Sequence, residues 1–223
     1  MNSIPMTARP FVRRPIRARH SQWAINLARW LPSLGLRPNQ VSILSLVFSV
    51  MGGVCLLAFG RLDQPWRILL PAGAIVCISL RGLCNLMDGM MAVEGGLRGK
   101  SGDVFNELPD RFSDTVRLVG LGYAAGWSGA GPLLGWSASV LALITAYVRV
   151  LGVQAGASAQ FCGPMAKSAR MGVVVAACLG MMIETALHLP VRTAGVALVV
   201  VAIGGFITIA RRTRRIIREL EAQ

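Results

Sequence analysis

The sequence predicts an all-α, polytopic membrane protein with six transmembrane helices. Hydrophobic residues make up 54% of its 223 residues and charged residues only 15%. In soluble domains, about a quarter of all residues are charged. This composition argues against a soluble or disordered chain. Its apolar residues fall into six runs, each close to the roughly 20 residues with which a helix crosses the hydrocarbon core. These runs are 41–60, 68–88, 105–126, 132–153, 171–188 and 193–210.

The positive charge predicts how these spans are oriented. The net charge is +13, and arginines crowd the segments before the first apolar run and after the sixth. Because Lys and Arg are retained on the cytoplasmic side, we expect both termini in the cytoplasm and the protein in a bacterial inner membrane. The partner of the basic surface is then the anionic lipid bilayer and not nucleic acid.

Three segments are expected along the chain. Residues 1–37 form a basic N-terminal segment, 38–210 the six-helix membrane domain, and 211–223 a basic cytoplasmic tail. Within the first segment, residues 20–34 predict a helix that lies on the membrane surface. The arginine-rich, acid-free start is also typical of a mitochondrial transit peptide, which stays an alternative. The apolar face of the surface helix would carry Trp23, Leu27, Trp30 and Leu31.

Acidic residues are concentrated where the second and third spans meet. Six of the ten acids lie within 27 residues, and acids at membrane depth indicate function because they are costly there. Helical spacing puts them on one face of each span. Converging carboxylates repel one another, and hard divalent cations such as Mg²⁺ or Mn²⁺, which often hold phosphate, relieve that repulsion. The six acids are Asp88, Glu94, Asp103, Glu107, Asp110 and Asp114.

Two other interpretations of these acids stay open. Asp110 and Asp114 have the cations Arg111 and Arg117 close by in the sequence, so the group could be a structural ion-pair network inside the membrane. The acids could also line a proton or ion pathway. The clustering on two successive helices favours the metal and phosphate site.

The same stretch resembles the signature of the CDP-alcohol phosphotransferase family. It reads Asn85-x2-Asp88-Gly89-x2-Ala92-Val93-x8-Gly102-x3-Asn106-x3-Asp110, against D-x2-D-G-x2-A-R-x8-G-x3-D-x3-D in the family. The segment Pro38-Asn39-Gln40-Val41-Ser42 before the first span also resembles a family pattern. The spacing agrees throughout, but Asn85, Asn106 and Val93 replace two aspartates and an arginine.

The resemblance implies a membrane transferase. Such enzymes transfer a phosphatidyl group from CDP-diacylglycerol to a polar alcohol and release CMP. It implies Asp110 as the catalytic base, Mg²⁺ or Mn²⁺ as cofactor, and a homodimer as a common assembly. Asp114, one turn beyond Asp110, could compensate for the lost aspartates. The implied metal ligands are Asp88, Asp110, Asn85, Asn106 and Asp114, and the implied nucleotide contacts are Gly89, Ala92 and Gly102.

A basic cluster near the fifth span is the candidate acceptor site. Lys167 and Arg170 are three residues apart and can face the same way, and Arg149 could join them. Phosphorylated acceptors are bound by basic residues in this region of the resembled family. The alternative is that these cations only anchor the chain on the cytoplasmic side.

Two further functional classes remain possible from the sequence alone. A family relative without catalytic activity, which binds lipid or a partner protein, would explain Asn85, Val93 and Asn106. A transporter would use the intramembrane acids for flux and would not require nucleotide. Neither the acceptor alcohol nor the number of metal ions follows from the sequence.

Overall fold

The structure is a computed structural model that describes residues 19, 21–63, 65–93, 96 and 102–223. The side chains of Val93, Asp103 and Asn106 lie outside this description. The described residues form helices and no strands, so the all-α prediction is confirmed. The helices are α1 (Gln22–Ser33), α2 (Pro38–Phe59), α3 (Trp66–Val93), α4 (Gly102–Ala124), α5 (Ala130–Ala155), α6 (Lys167–Ala186) and α7 (Thr193–Glu221).

Five of these helices, α2, α3, α5, α6 and α7, are long and apolar enough to cross a membrane. Helix α4 has 23 residues and corresponds to the third predicted span. Its charged side is turned into the bundle, whereas Val104, Leu108 and Phe112 on its outer side are more than half exposed. This inside-out polarity is what a helix in lipid requires. The chain is therefore a polytopic integral membrane protein.

Glycines allow the central helices to approach closely. Helix α4 packs against both α2 and α5. A Cβ atom on Gly120 of α4 would lie 2.8 Å from the carbonyl oxygen of Gly53 on α2. One on Gly122 would lie 2.7 Å from the carbonyl oxygen of Gly131 on α5. Small residues at such crossings are the usual way in which membrane helices pack, and they place α4 at the centre of the bundle.

The helix predicted over residues 20–34 is present as α1, with ends slightly inside the expected range, and its place on the membrane surface stays a prediction. Ala24 and Ala28 are buried in a cluster with Met87, Met90 and other side chains of α3. Trp23 and Trp30 are more than half exposed on the other side. The helix thus covers the end of α3 with its small residues and leaves its two tryptophans exposed.

Helix α7 continues past the predicted end of the sixth span. It runs to Glu221, and 29 residues at 1.5 Å each reach roughly 43 Å, more than the hydrocarbon thickness. Arg212 is buried, and its guanidinium donates to the carbonyl oxygens of Thr145 at 2.6 Å and Cys162 at 2.9 Å. The expected boundary at 210/211 therefore falls within one continuous helix, and the division into three segments stays a prediction.

Candidate functional site

Asp110 lies at the centre of the candidate site, in the N-terminal half of α4. Its Oδ1 accepts hydrogen bonds from Arg81 Nη2 at 2.7 Å and from Asn85 Nδ2 at 3.2 Å, both on α3. Its Oδ2 accepts from Lys167 Nζ at the start of α6. Only 5% of Asp110 is exposed. One carboxylate thus joins three helices, because the helical spacing on α3 aligns Arg81 and Asn85 on the face turned toward α4.

Asp88 is the second carboxylate of the site, one turn beyond Asn85 on the same face of α3. Its Oδ2 accepts a hydrogen bond from Ser42 Oγ of α2 at 2.6 Å. It is buried, and the charges of Lys167 and Asp110 act on it. The structure therefore brings Asp88, Asn85 and Asp110 into one region and adds Lys167, which the sequence placed in a separate basic cluster.

Asp114 forms a separate ion-pair group one turn further into the bundle. Its Oδ1 accepts from Arg117 Nη2 at 2.5 Å, and its Oδ2 from Arg170 Nη2 at 2.6 Å. Arg170 also donates to the carbonyl oxygen of Met165 at 2.8 Å. Both oxygens of Asp114 are thus held by cations, and Lys167 and Arg170 bind successive acids of α4 instead of one common site.

The acids of α4 also form the ion pairs that were the alternative to a metal site. The predicted ion pair between Asp114 and Arg117 is present, and Arg111 lies 3.9 Å from Asp110. Further cations that bind these acids, however, come from α3 and α6. Arg81 and Arg170 therefore belong to the network that the sequence had assigned to α4 alone.

Cations outnumber carboxylates among the described residues of the site. Four cations, Arg81, Arg117, Lys167 and Arg170, bind or adjoin three carboxylates, Asp88, Asp110 and Asp114. Arg81 Nε, Arg117 Nη1 and Arg170 Nε are buried without a hydrogen-bond partner in the described part of the chain. Buried donors of this kind are costly unless something accepts from them. An anion with several acceptor oxygens, such as a phosphate, is suited to this environment.

The other predicted site residues surround this group. Arg149 donates to Glu107 Oε1 at 2.5 Å and lies over the ring of Phe161, so its guanidinium faces the edge of the site. A Cβ on Gly102 would meet no atom within 4 Å. Gly89 and Ala92 are half-buried on α3. The predicted ligand Asn106 lies outside the described side chains, as do Glu94, Val93 and Asp103.

Two contributors were not predicted as site residues. Arg81 shares the predicted face of α3, and an arginine inside an apolar run was itself a signal. Ser42 belongs to the short motif before the first span, but only the fold shows that its hydroxyl reaches Asp88. Their roles depend on contacts between helices, and the spacing within one helix does not reveal them.

The oxygen donors fit one hard divalent cation with few protein ligands. In the part of the chain that the structure describes, no three His, Cys, Asp or Glu side chains are placed to hold a metal ion together. Asp88 and Asp110 offer carboxylate oxygens, and Asn85 can offer an amide oxygen. Mg²⁺ commonly binds through one or two carboxylates, with water and substrate phosphates completing its shell. The two carboxylates and the amide oxygen are donors of the kind that this way of binding Mg²⁺ uses.

Comparison with known proteins finds a relative that matches part of the chain and solved structures with the same fold. No family model matches the chain. A phosphatidylinositol phosphate synthase of Mycobacterium marinum is 33% identical over 116 residues, which cover 52% of this chain and 44% of that protein. The aligned stretch thus spans less than half of that relative.

Solved structures of a phosphatidylinositol phosphate synthase of Mycobacterium tuberculosis have the same fold. The structure with CDP-DAG bound has a TM-score of 0.69 at 20% identity, covering 88% of this chain and 94% of that one. The structure with manganese and citrate has a TM-score of 0.70 at 20% identity, covering 86% and 88%. The chain thus has the fold of these phosphatidylinositol phosphate synthases and is similar in sequence to part of one of them. Both findings agree with the resemblance of the spaced signature to the CDP-alcohol phosphotransferase family.

Proposed function

We propose that this chain is a metal-dependent membrane phosphotransferase that transfers a phosphatidyl group from CDP-diacylglycerol to a polar alcohol and releases CMP. The observation that carries the proposal is the environment of Asp110, which is buried on α4 beside Asp88. Its Oδ1 is bound by the buried Arg81 and its Oδ2 by Lys167. The relatives' names and bound ligands support the donor and the metal. The proposed localisation is a bacterial inner membrane with both termini in the cytoplasm.

In this mechanism, Asp110 accepts the proton of the acceptor hydroxyl. Arg81 and Asn85 hold its Oδ1, which fixes the orientation of the carboxylate. Its Oδ2 is bound by Lys167, whose side chain is 31% exposed, whereas Oδ1 is bound by the fully buried Arg81. As the acceptor oxygen bonds to the β-phosphorus of the donor, the bond from phosphorus to the CMP oxygen breaks and the proton passes to Oδ2.

Asp88, Asp110 and Asn85 would hold the metal ion, together with Asn106 from the signature. When bound, a divalent cation neutralises the pyrophosphate charge and favours departure of CMP. Ser42 keeps Asp88 in position. Since Asp114 is bound by Arg117 and Arg170, we propose that it holds these cations in place instead of binding metal. Gly89, Ala92 and Gly102 would leave room for the nucleotide.

Lys167 is the proposed contact for the acceptor, with Arg170 and Arg149 behind it. The Lys167 side chain is partly exposed, whereas Arg170 is buried and bound to Asp114. A phosphorylated alcohol would therefore bind Lys167 first and would draw this ammonium away from Asp110 Oδ2. The incoming acceptor thus frees the oxygen that takes its proton. A homodimer is the proposed assembly, by resemblance to the family.

A second candidate function is a lipid-binding or partner-binding protein without catalytic activity. It is favoured by Asn85, which replaces an aspartate of the signature and donates to Asp110. The ammonium and guanidinium on Asp110 would then be permanent substitutes for the metal charge. Such a protein would bind CDP-diacylglycerol and release no CMP.

The experiment is an assay of CMP release by the detergent-purified full-length protein. It supplies CDP-diacylglycerol, Mg²⁺ or Mn²⁺, and one alcohol at a time from inositol phosphate, glycerol 3-phosphate, serine and glycerol. We expect CMP only with metal and with at least one alcohol, and faster release with a phosphorylated one. Binding of CDP-diacylglycerol by folded protein without CMP release from any alcohol would favour the second candidate.

A further inference from the structure

A cavity lies at the end of the bundle opposite Asp110. It has a volume of about 830 Å³, within the usual range for small-molecule sites. It is formed where α2, α4 and α6 end and where α3 and α7 begin. None of its lining residues contributes to the candidate catalytic site. Its polar and aromatic lining includes Arg67, Arg192, His188, Thr185, Tyr123 and Trp127.

The lining is cationic and contains polar atoms without partners. Arg67 and Arg192 form no ion pair with a described carboxylate, and Arg67 instead stacks over Phe59, with Cζ 5.1 Å from the ring centroid. Arg67 Nε is buried without a hydrogen-bond acceptor among the described residues. Thr185 is only 6% exposed, and its hydroxyl also lacks a partner there. Both donors belong to residues that line one cavity, and an anionic oxygen ligand is suited to such a cationic lining.

The nearby carboxylate of Glu184 is already used. It accepts hydrogen bonds from the backbone N–H groups of Arg192 and Thr193 and from the Thr193 hydroxyl. It therefore caps the start of α7 and leaves both guanidinium groups without a counterion from the described chain. In the proposed orientation, with both termini in the cytoplasm, these arginines lie at the end of the bundle where the positive-inside rule expects few cations.

The backbone around the cavity adopts conformations that side chains rarely allow. Ser128 has φ +38° and His188 has φ +53°, and these are the only non-glycine residues with positive φ in the described ranges. Both line the cavity. Strained backbone of this kind persists where the surrounding structure fixes it, and it clusters at binding sites.

We propose that this cavity binds the phosphate of an anionic headgroup, either a phospholipid at the membrane boundary or a free phosphate or phosphoester. Arg67 and Arg192 supply the charge, and Thr185 donates through its hydroxyl. Tyr123 and Trp127 flank the remainder of the headgroup. The volume exceeds that of phosphate alone, so a larger polar head is accommodated. This inference does not depend on the proposed transferase activity.

The test follows tryptophan fluorescence of the full-length protein in maltoside detergent, since Trp127 lines the cavity. Two probes are titrated separately, inorganic phosphate and dihexanoyl phosphatidylglycerol, with dihexanoyl glycerol as the phosphate-free control. The test variant is Arg67→Gln with Arg192→Gln. Its matched control is Arg61→Gln, an exposed arginine at the same end that does not line the cavity. Asp110→Asn checks that the binding is separate from the catalytic site.

We expect saturable binding of at least one phosphate-bearing probe. Its affinity should fall at least tenfold in the double arginine variant and stay within twofold in Arg61→Gln and Asp110→Asn. Binding of phosphate alone would indicate a free anion, and binding of the lipid alone a headgroup; both support the site. Because Arg67 also packs on Phe59, Thr185→Val provides a second variant, which should weaken binding several-fold. Absence of saturable binding, or equal losses in Arg61→Gln, would overturn the proposal.

Discussion

Arg81 and Asp110 form a buried ion pair between α3 and α4, with Arg81 Nη2 2.7 Å from Asp110 Oδ1. Arg81 is fully buried, and charge at this depth is tolerated only when it is paired. The pair fixes one oxygen of the proposed base and leaves the other to Lys167. In the proposed mechanism Oδ1 is held in place and Oδ2 accepts the proton, and these roles lead to the following predictions.

Replacement of Lys167 by methionine should weaken binding of a phosphorylated acceptor. The change removes the partly exposed ammonium of the site while keeping an apolar stem of similar length. We expect KM for a phosphorylated alcohol to rise about tenfold or more, as for the loss of a charged hydrogen bond, and KM for CDP-diacylglycerol to change little. Steady-state CMP release measures both, with exposed Arg218→Gln as control. Equal KM changes for both substrates would contradict a role in acceptor binding.

Replacement of Asp114 by asparagine should reduce stability more than metal binding. It leaves Arg117 and Arg170 buried without their counterion, and breaking a buried pair in this way costs about 3–5 kcal/mol. Thermal unfolding in detergent should show a clear decrease in Tm, and the Mg²⁺ dependence of the remaining activity should be unchanged. A variant with normal Tm and weakened Mg²⁺ dependence would instead make Asp114 a metal ligand, as the sequence suggested.

Replacement of Asn85 by aspartate should make stability depend on metal. The new carboxylate would lie beside Asp110 Oδ1, to which Asn85 Nδ2 now donates at 3.2 Å. Two adjacent carboxylates repel until a cation is bound, so Tm should fall without metal and rise with Mg²⁺ more than in the wild type. Exposed Asn26→Asp is the matched control. No difference between the two variants in Mg²⁺ titrations of Tm would exclude Asn85 from the metal site.

The glycine crossing of α4 and α5 should be sensitive to a single methyl group. In Gly122→Ala the new Cβ would lie 2.7 Å from the carbonyl oxygen of Gly131, so the helices must separate, at a cost of roughly 1–3 kcal/mol. Gly172→Ala on α6 is the control, since its Cβ would meet nothing within 4 Å. We expect a lower Tm only in the first variant. Equal Tm values for the two variants would show that α4 and α5 accommodate the added methyl group without loss of stability.

The sequence was most informative where function is carried by spacing along one helix. Asn85 and Asp88 share a face of α3, and the signature aligned that face with Asp110. Contacts between distant helices could not be predicted in this way. The hydrogen bond from Ser42 to Asp88 depends on how α2 packs against α3. The ion pair of Arg170 with Asp114 depends on how α6 packs against α4. Continuation of α7 to Glu221 was missed because hydropathy ends before the helix does.

The central claim is that Asp110 takes the acceptor proton during transfer from CDP-diacylglycerol. Its most direct test is metal-dependent CMP release by Asp110→Asn, compared with Asp63→Asn, which changes an exposed acid at the other end of the bundle. General base catalysis contributes about 10²–10⁴-fold. We therefore predict a loss of at least about a hundredfold in kcat for Asp110→Asn, with CDP-diacylglycerol binding retained, and full activity for Asp63→Asn. Wild-type turnover by folded Asp110→Asn would contradict the account.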